Sequence, residues 1–89
     1  METVTLYREI GKTLHSLGAF RVVLLKSKDI LEGDITMLLE IAVDGAIEIK
    51  EAEKQCSEKF STTRIKLIDL NDYSDNSVMR EVIEDGIQL

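Results

Sequence analysis

Few side chains in this 89-residue sequence are suited to chemistry on their own. The one cysteine, Cys56, has no second thiol with which to form an internal disulfide and no neighbouring histidine to begin a zinc set, so a reducing compartment fits. Its spacing from Ile49, Ala52 and Phe60 reads as a small core residue of a helix. The one histidine, His15, has no partner at ligand spacing and reads as part of a polar helix face. Lys26 and Lys28 are able to attract an anion or simply to be solvated. Ser27 between them reads as a turn hydroxyl, and Asp34 as a polar residue opening a strand after Gly33. Tyr73, in a polar loop, is either a contact anchor for a partner or a cover for the loop.

Composition narrows the classes further. A formal charge of −6 argues against wrapping DNA or RNA, because neutralising phosphates needs a basic face. With 44% hydrophobic residues the chain can build one modest core and nothing larger, so residues 1–89 are expected to form a single domain. No apolar run approaches the roughly 20 residues that cross a bilayer. The start Met1-Glu2-Thr3-Val4-Thr5 lacks the basic and apolar regions of a signal peptide, so a cytoplasmic location is expected.

The elements that must position these residues follow from periodicity. Val4, Tyr7, Ile10, Leu14 and Leu17 recur at three and four, which predicts an amphipathic helix stopped by Gly18. The branched run at residues 20–25 predicts a buried strand, and residues 35–43 a second strand after the turn at Glu32-Gly33. Asp44 is a candidate N-cap for a helix carrying Ile47, Ile49, Ala52, Cys56 and Phe60 inward. Residues 64–70 predict a third strand, residues 71–76 a polar loop, and residues 77–85 a last helix with Val78, Val82 and Ile83 inward, ended by Gly86. The expected fold is α/β in the order αββαβα, with a small mixed three-stranded sheet and helices packed on it.

That order resembles the minimal nucleotidyltransferase family, small domains often encoded beside a HEPN-domain protein as toxin and antitoxin pairs. The likeness spans nearly the whole chain. Phe20-Arg21-Val22-Val23-Leu24-Leu25-Lys26-Ser27 resembles the family strand that ends in Gly-Ser, and Asp34-Ile35-Thr36-Met37-Leu38-Leu39-Glu40 the strand that opens with Asp-x-Asp. The tail Met79-Arg80-Glu81-Val82-Ile83-Glu84-Asp85-Gly86-Ile87 is similar to the closing helix and glycine. In the family the paired aspartates share a strand face and hold magnesium ions that bridge nucleotide phosphates, while the Gly-Ser backbone approaches a phosphate.

The resemblance implies cofactor-binding places at Ser27 and Lys26, a residual catalytic carboxylate at Asp34, and metal ligands at Asp34 and Asp69. It also marks departures. Lys26 replaces the glycine, Thr36 replaces the second aspartate, and the third-strand carboxylate falls on Lys66 unless a shifted register offers Asp69. The segment from Ser27 to Asp34 is shorter than the family loop and lacks its arginine and glycine. Each missing carboxylate removes several kcal/mol of attraction for magnesium at an effective dielectric of about 20. The expectation is therefore a catalytically degenerate nucleotidyltransferase-like domain without a bound cofactor. It would act as a protein-binding subunit, an antitoxin-type partner of a HEPN-like protein, or associate with itself, touching neither nucleic acid nor membrane. The alternative is an active enzyme that uses magnesium and ATP to transfer AMP to a protein or small molecule, with Asp34 and a displaced acid such as Asp69 or Glu40.

Overall fold

A long β-hairpin forms the spine of the molecule. The computed structural model describes the backbone of residues 3–73 and 77–89 and the side chains of residues 5–72, 80, 81 and 83–89. Helix α1 (Thr3–Ser16) leads into strands β1 (Ala19–Glu32) and β2 (Ile35–Gly45), then helix α2 (Ile49–Lys59) and strand β3 (Thr63–Asp69). A 3-10 turn (Leu70–Tyr73), helix α3 (Ser77–Asp85) and strand β4 (Ile87–Gln88) complete the chain. The strands lie in the order β3-β2-β1-β4, with β2 and β3 parallel and the other pairs antiparallel. The α/β class and mixed sheet are as expected, but the sheet has four strands where three were expected. β4 holds only two residues, too few to show an alternating pattern, and it is placed by pairing Val23 with Gln88 and Leu24 with Ile87.

β1 also departs from expectation by running on to Glu32 instead of ending near Leu25. Its polar second half, Lys26 to Glu32, has little strand preference of its own. What holds it extended is its partner, because β2 presents Met37, Leu38, Leu39 and Glu40 for pairing with Asp29, Lys28, Ser27 and Lys26. The two-residue turn Gly33-Asp34 closes the hairpin, and the φ of 63° at Gly33 suits the right-handed twist of the strands it joins. The cap of α2 is Glu48, whose carboxylate accepts from the Lys50 N–H at 3.3 Å, and not Asp44. Asp44 still belongs to β2, paired with Arg21.

Alternation along β2 sends its side chains into two cores. Leu39, Ile41 and Val43 face α1 and α2 and pack with Ile10, Leu14, Val22, Leu24, Ala52, Cys56, Ile65 and Leu67. Ala42 faces the other way, joining Val23 and Leu70 with the half-buried Leu25, Ile68 and Ile83 from α3. The expected inward positions of α1 and α2 are thus met at Ile10, Leu14, Ala52, Cys56 and Phe60, and Ile65 and Leu67 of β3 are buried with them. Readings made for the side chains of Val4, Tyr73, Val78 and Val82, and for loop residues 74–76, lie outside the described residues.

At the base of the hairpin two backbones meet without side chains. Gly18 and Gly45 both have positive φ, 118° and 133°, and a Cβ on Gly45 would lie 2.6 Å from the Gly18 carbonyl oxygen. Glycine is required at both places for β1 to leave α1 beside the end of β2. On the far side, β3 is the long outer strand, and Glu53 of α2 accepts from its Leu67 N–H at 3.4 Å. Among the described residues, no helix is long and apolar enough to cross a membrane.

Leu39 is fully buried and Leu31 is 89% exposed near the hairpin tip, so the two leucines separate core from surface. Leu39→Ala is expected to cost about 2–5 kcal/mol of unfolding free energy. Leu31→Ala is expected to change it by less than about 0.5 kcal/mol. Urea denaturation of both variants checks the assignment.

Candidate functional site

The hairpin determines where each candidate residue stands. Ser27 pairs with Leu39, so its hydroxyl lies on the α1 side, where it accepts from the Tyr7 hydroxyl at 2.9 Å. Lys26 pairs with Glu40 and points to the opposite side of the sheet. The two proposed nucleotide contacts are therefore adjacent in the chain but separated by the sheet itself.

Asp34 lies in the exposed hairpin turn. Asp69 closes β3 at the other end of the molecule, paired with Val43, and its Oδ1 accepts from the Asn71 N–H at 3.0 Å. Asp34 precedes Val43 by nine positions in the chain, about 30 Å at roughly 3.3 Å per strand residue. Magnesium takes its oxygen ligands at roughly 2.0–2.1 Å, so these two carboxylates do not share an ion. Glu40 is six positions from Asp34, about 20 Å on the same scale. Thr36 stands where the resemblance calls for a second aspartate, and both its N–H and its hydroxyl donate to the Thr62 carbonyl, at 2.8 and 3.4 Å. A carboxylate there has no proton to give that oxygen. Among the described residues, no group of three or more His, Cys, Asp or Glu side chains is placed to hold a metal ion.

What the hairpin does bring together is a set of cations. Cross-strand pairing aligns Lys26, Glu40 and Lys66 in one row and Lys28, Leu38 and Arg64 in the next, all on the α3 side of the sheet. All four cations are exposed, while Leu38 and Glu40 between them are half-buried. Arg64 also meets Glu32 at 3.1 Å. α1 covers the reverse of these rows through Leu6 and Tyr7, beside Met37 of β2. On the α3 side, the packed cluster ends with Val23, Leu25, Ala42, Ile68, Leu70 and Ile83. The signal in the sequence was the spacing of two basic pairs, Lys26 with Lys28 and Arg64 with Lys66, each at i and i+2 on a strand.

His15 has a role that its sequence position concealed. Its Nδ1 lies 2.9 Å from the Ala19 carbonyl and its Nε2 3.2 Å from the Leu89 carbonyl. A neutral ring carries one N–H and donates to one of these oxygens, whereas the imidazolium donates to both. The ring thereby ties the end of α1 to β1 and to the residue after β4, whose own N–H donates to the Val22 carbonyl at 2.8 Å. Cys56 is fully buried in the main core, as its helix position implied. Burial pushes its thiol above the ordinary value of 9.0, opposed by the nearby Lys59 ammonium.

Comparison of the chain with known protein families, with characterised proteins and with solved structures finds no match.

These contacts make two predictions. His15→Ala removes at least one hydrogen bond, about 0.5–1.5 kcal/mol, so the Leu89 amide is expected to exchange with deuterium roughly two- to tenfold faster while the Ile41 amide is unchanged. Retained protection at Leu89 would show that the ring holds nothing. For Cys56, the folded chain favours the neutral thiol, so its stabilisation is complete below pH 9.0. It is lost as pH rises from there through the folded value, because the unfolded chain ionises first. Between about pH 8 and about pH 10.5, urea unfolding is expected to show a steeper loss for the parent than for Cys56→Ala.

Proposed function

We propose that this chain is a protein-binding subunit built on a catalytically degenerate nucleotidyltransferase-like domain, working in the cytoplasm as the antitoxin-type partner of a HEPN-like protein. The observation that supports the degenerate half is the separation of Asp34 from Asp69 along β2 and β3, about 30 Å at the usual strand rise. Asp34 and Asp69 then do not hold one magnesium ion for a nucleotide between them, and Ser27 and Lys26 address opposite sides of the sheet. The binding half is supported by the exposed face of the hairpin, where half-buried Leu38 lies among four exposed cations. A HEPN-like protein as partner follows from the resemblance of the strands and tail to the minimal nucleotidyltransferases.

Co-expression with the product of the adjacent gene, followed by sizing, tests the binding half. The expected result is a complex of fixed stoichiometry, and a monomer or a self-assembled species that ignores the neighbour would overturn it. Incubation with labelled ATP and magnesium tests the other half, with no incorporation expected into the chain or its partner. Label incorporation that Asp34→Asn abolishes would establish the active transferase instead.

A further inference from the structure

We infer that the exposed hairpin face is the docking surface for an acidic amphipathic helix of another protein, laid beside α3 across the rows Lys26-Glu40-Lys66 and Lys28-Leu38-Arg64. This inference rests on the protein-binding reading and names the chemistry of what is bound.

A sheet normally buries each face under a further layer. α1 and α2 form that layer on one face, and α3 begins it on the other over Val23, Ala42 and Ile68. The two outer rows continue the same face beyond α3 with their side chains exposed or half-buried. A helix is the element that extends an existing helical layer. Its apolar stripe would meet Leu38, and its flanking carboxylates would meet the cations of β1 and β3, each strand about 4.8 Å from β2.

Charge selects the partner's sign. The whole chain carries −6, yet the two strand rows set Lys26, Lys28, Arg64 and Lys66 against Glu40, with Glu32 on Arg64, while the neighbouring α3 carries Arg80 beside exposed Glu81, Glu84 and Asp85. Such a local reversal steers an acidic segment to one place on an otherwise repelling surface. A second copy of the chain does not supply the helix, because α1 through Ile10 and Leu14, α2 through Ala52 and Cys56, and α3 through Ile83 each already pack on their own sheet. Single-stranded nucleic acid fits less well, since these rows hold no aromatic side chain for base stacking and Glu40 divides the first of them.

The test is an amide chemical-shift titration of the full chain with a synthetic Leu/Glu amphipathic peptide of roughly 18 residues, five helical turns. Shifts are expected at residues 26–28, 36–40 and 64–66. Lys28→Glu with Lys66→Glu is expected to weaken binding about tenfold, whereas Lys50→Glu with Lys54→Glu on the exposed side of α2, an identical change in net charge, should shift it less than about twofold. Lys28→Gln with Lys66→Gln supplies the comparison if the reversed pair unfolds. Equal weakening by both reversals, shifts confined to other elements, or tighter binding of oligothymidylate at this face would each overturn the inference. The complex with the adjacent gene product keeps the two readings apart. If it forms and ignores Lys28→Glu with Lys66→Glu, the subunit reading stands and this face is not its surface. If the peptide binds here and no complex forms, the face stands and the antitoxin-type role falls.

Discussion

The pairing of β1 on β2 is the constraint from which the rest of the structure follows. Its register is set at one end by the turn at Gly33-Asp34 and at the other by the side-chain-free contact of Gly18 with Gly45. Because side chains alternate, a slip of one residue would turn Leu39 and Ile41 out of the main core and put Glu40 in their place. Register and core composition therefore enforce each other. α1 and α2 cover one face of that hairpin and α3 the other, while β3 and β4 extend its two edges.

The same register decides what the molecule can do chemically. It carries Ser27 and Lys26 to opposite faces, leaves Asp34 at a tip and sends Asp69 to the far end of a parallel neighbour. A transferase arrangement needs those groups to converge within one coordination shell. Here they diverge, and cations converge instead. The hydroxyl of Ser27 is already engaged by Tyr7, and Thr36 spends both of its donors on Thr62. These positions fasten α1 and β3 to the hairpin.

Much of this architecture was legible from the residues. The stripe of Ile10 and Leu14 in α1, the branched run of Val22 to Leu24, and the stop at Gly18 all act locally, within a turn or two of chain. The length of β1 was not legible, because Lys26 to Glu32 is extended by its partner and not by its own preferences. β4 escaped notice for a similar reason, being two residues held by Val23 and Leu24. His15 has no side-chain partner at ligand spacing because its partners are backbone carbonyls, one of them brought from the far end of the sequence. Its chemistry is invisible to any rule about side-chain spacing. The basic face was present in the alternation of Lys26 with Lys28 and Arg64 with Lys66, but only the pairing through β2 joins the two halves.

The outer margin of β3 carries a further implication. Backbone groups on a free strand edge can recruit another strand, and repetition of that event builds fibres. Glu53 occupies the Leu67 amide with a carboxylate anchored on α2, while the opposite margin is the two residues of β4 followed by the polar second half of β1, Lys26 to Glu32. A neighbouring molecule that sought to prolong the sheet through Leu67 would have to displace an anion and leave it without its donor. Glu53 thus closes the edge to a further strand at Leu67 with a single acidic side chain.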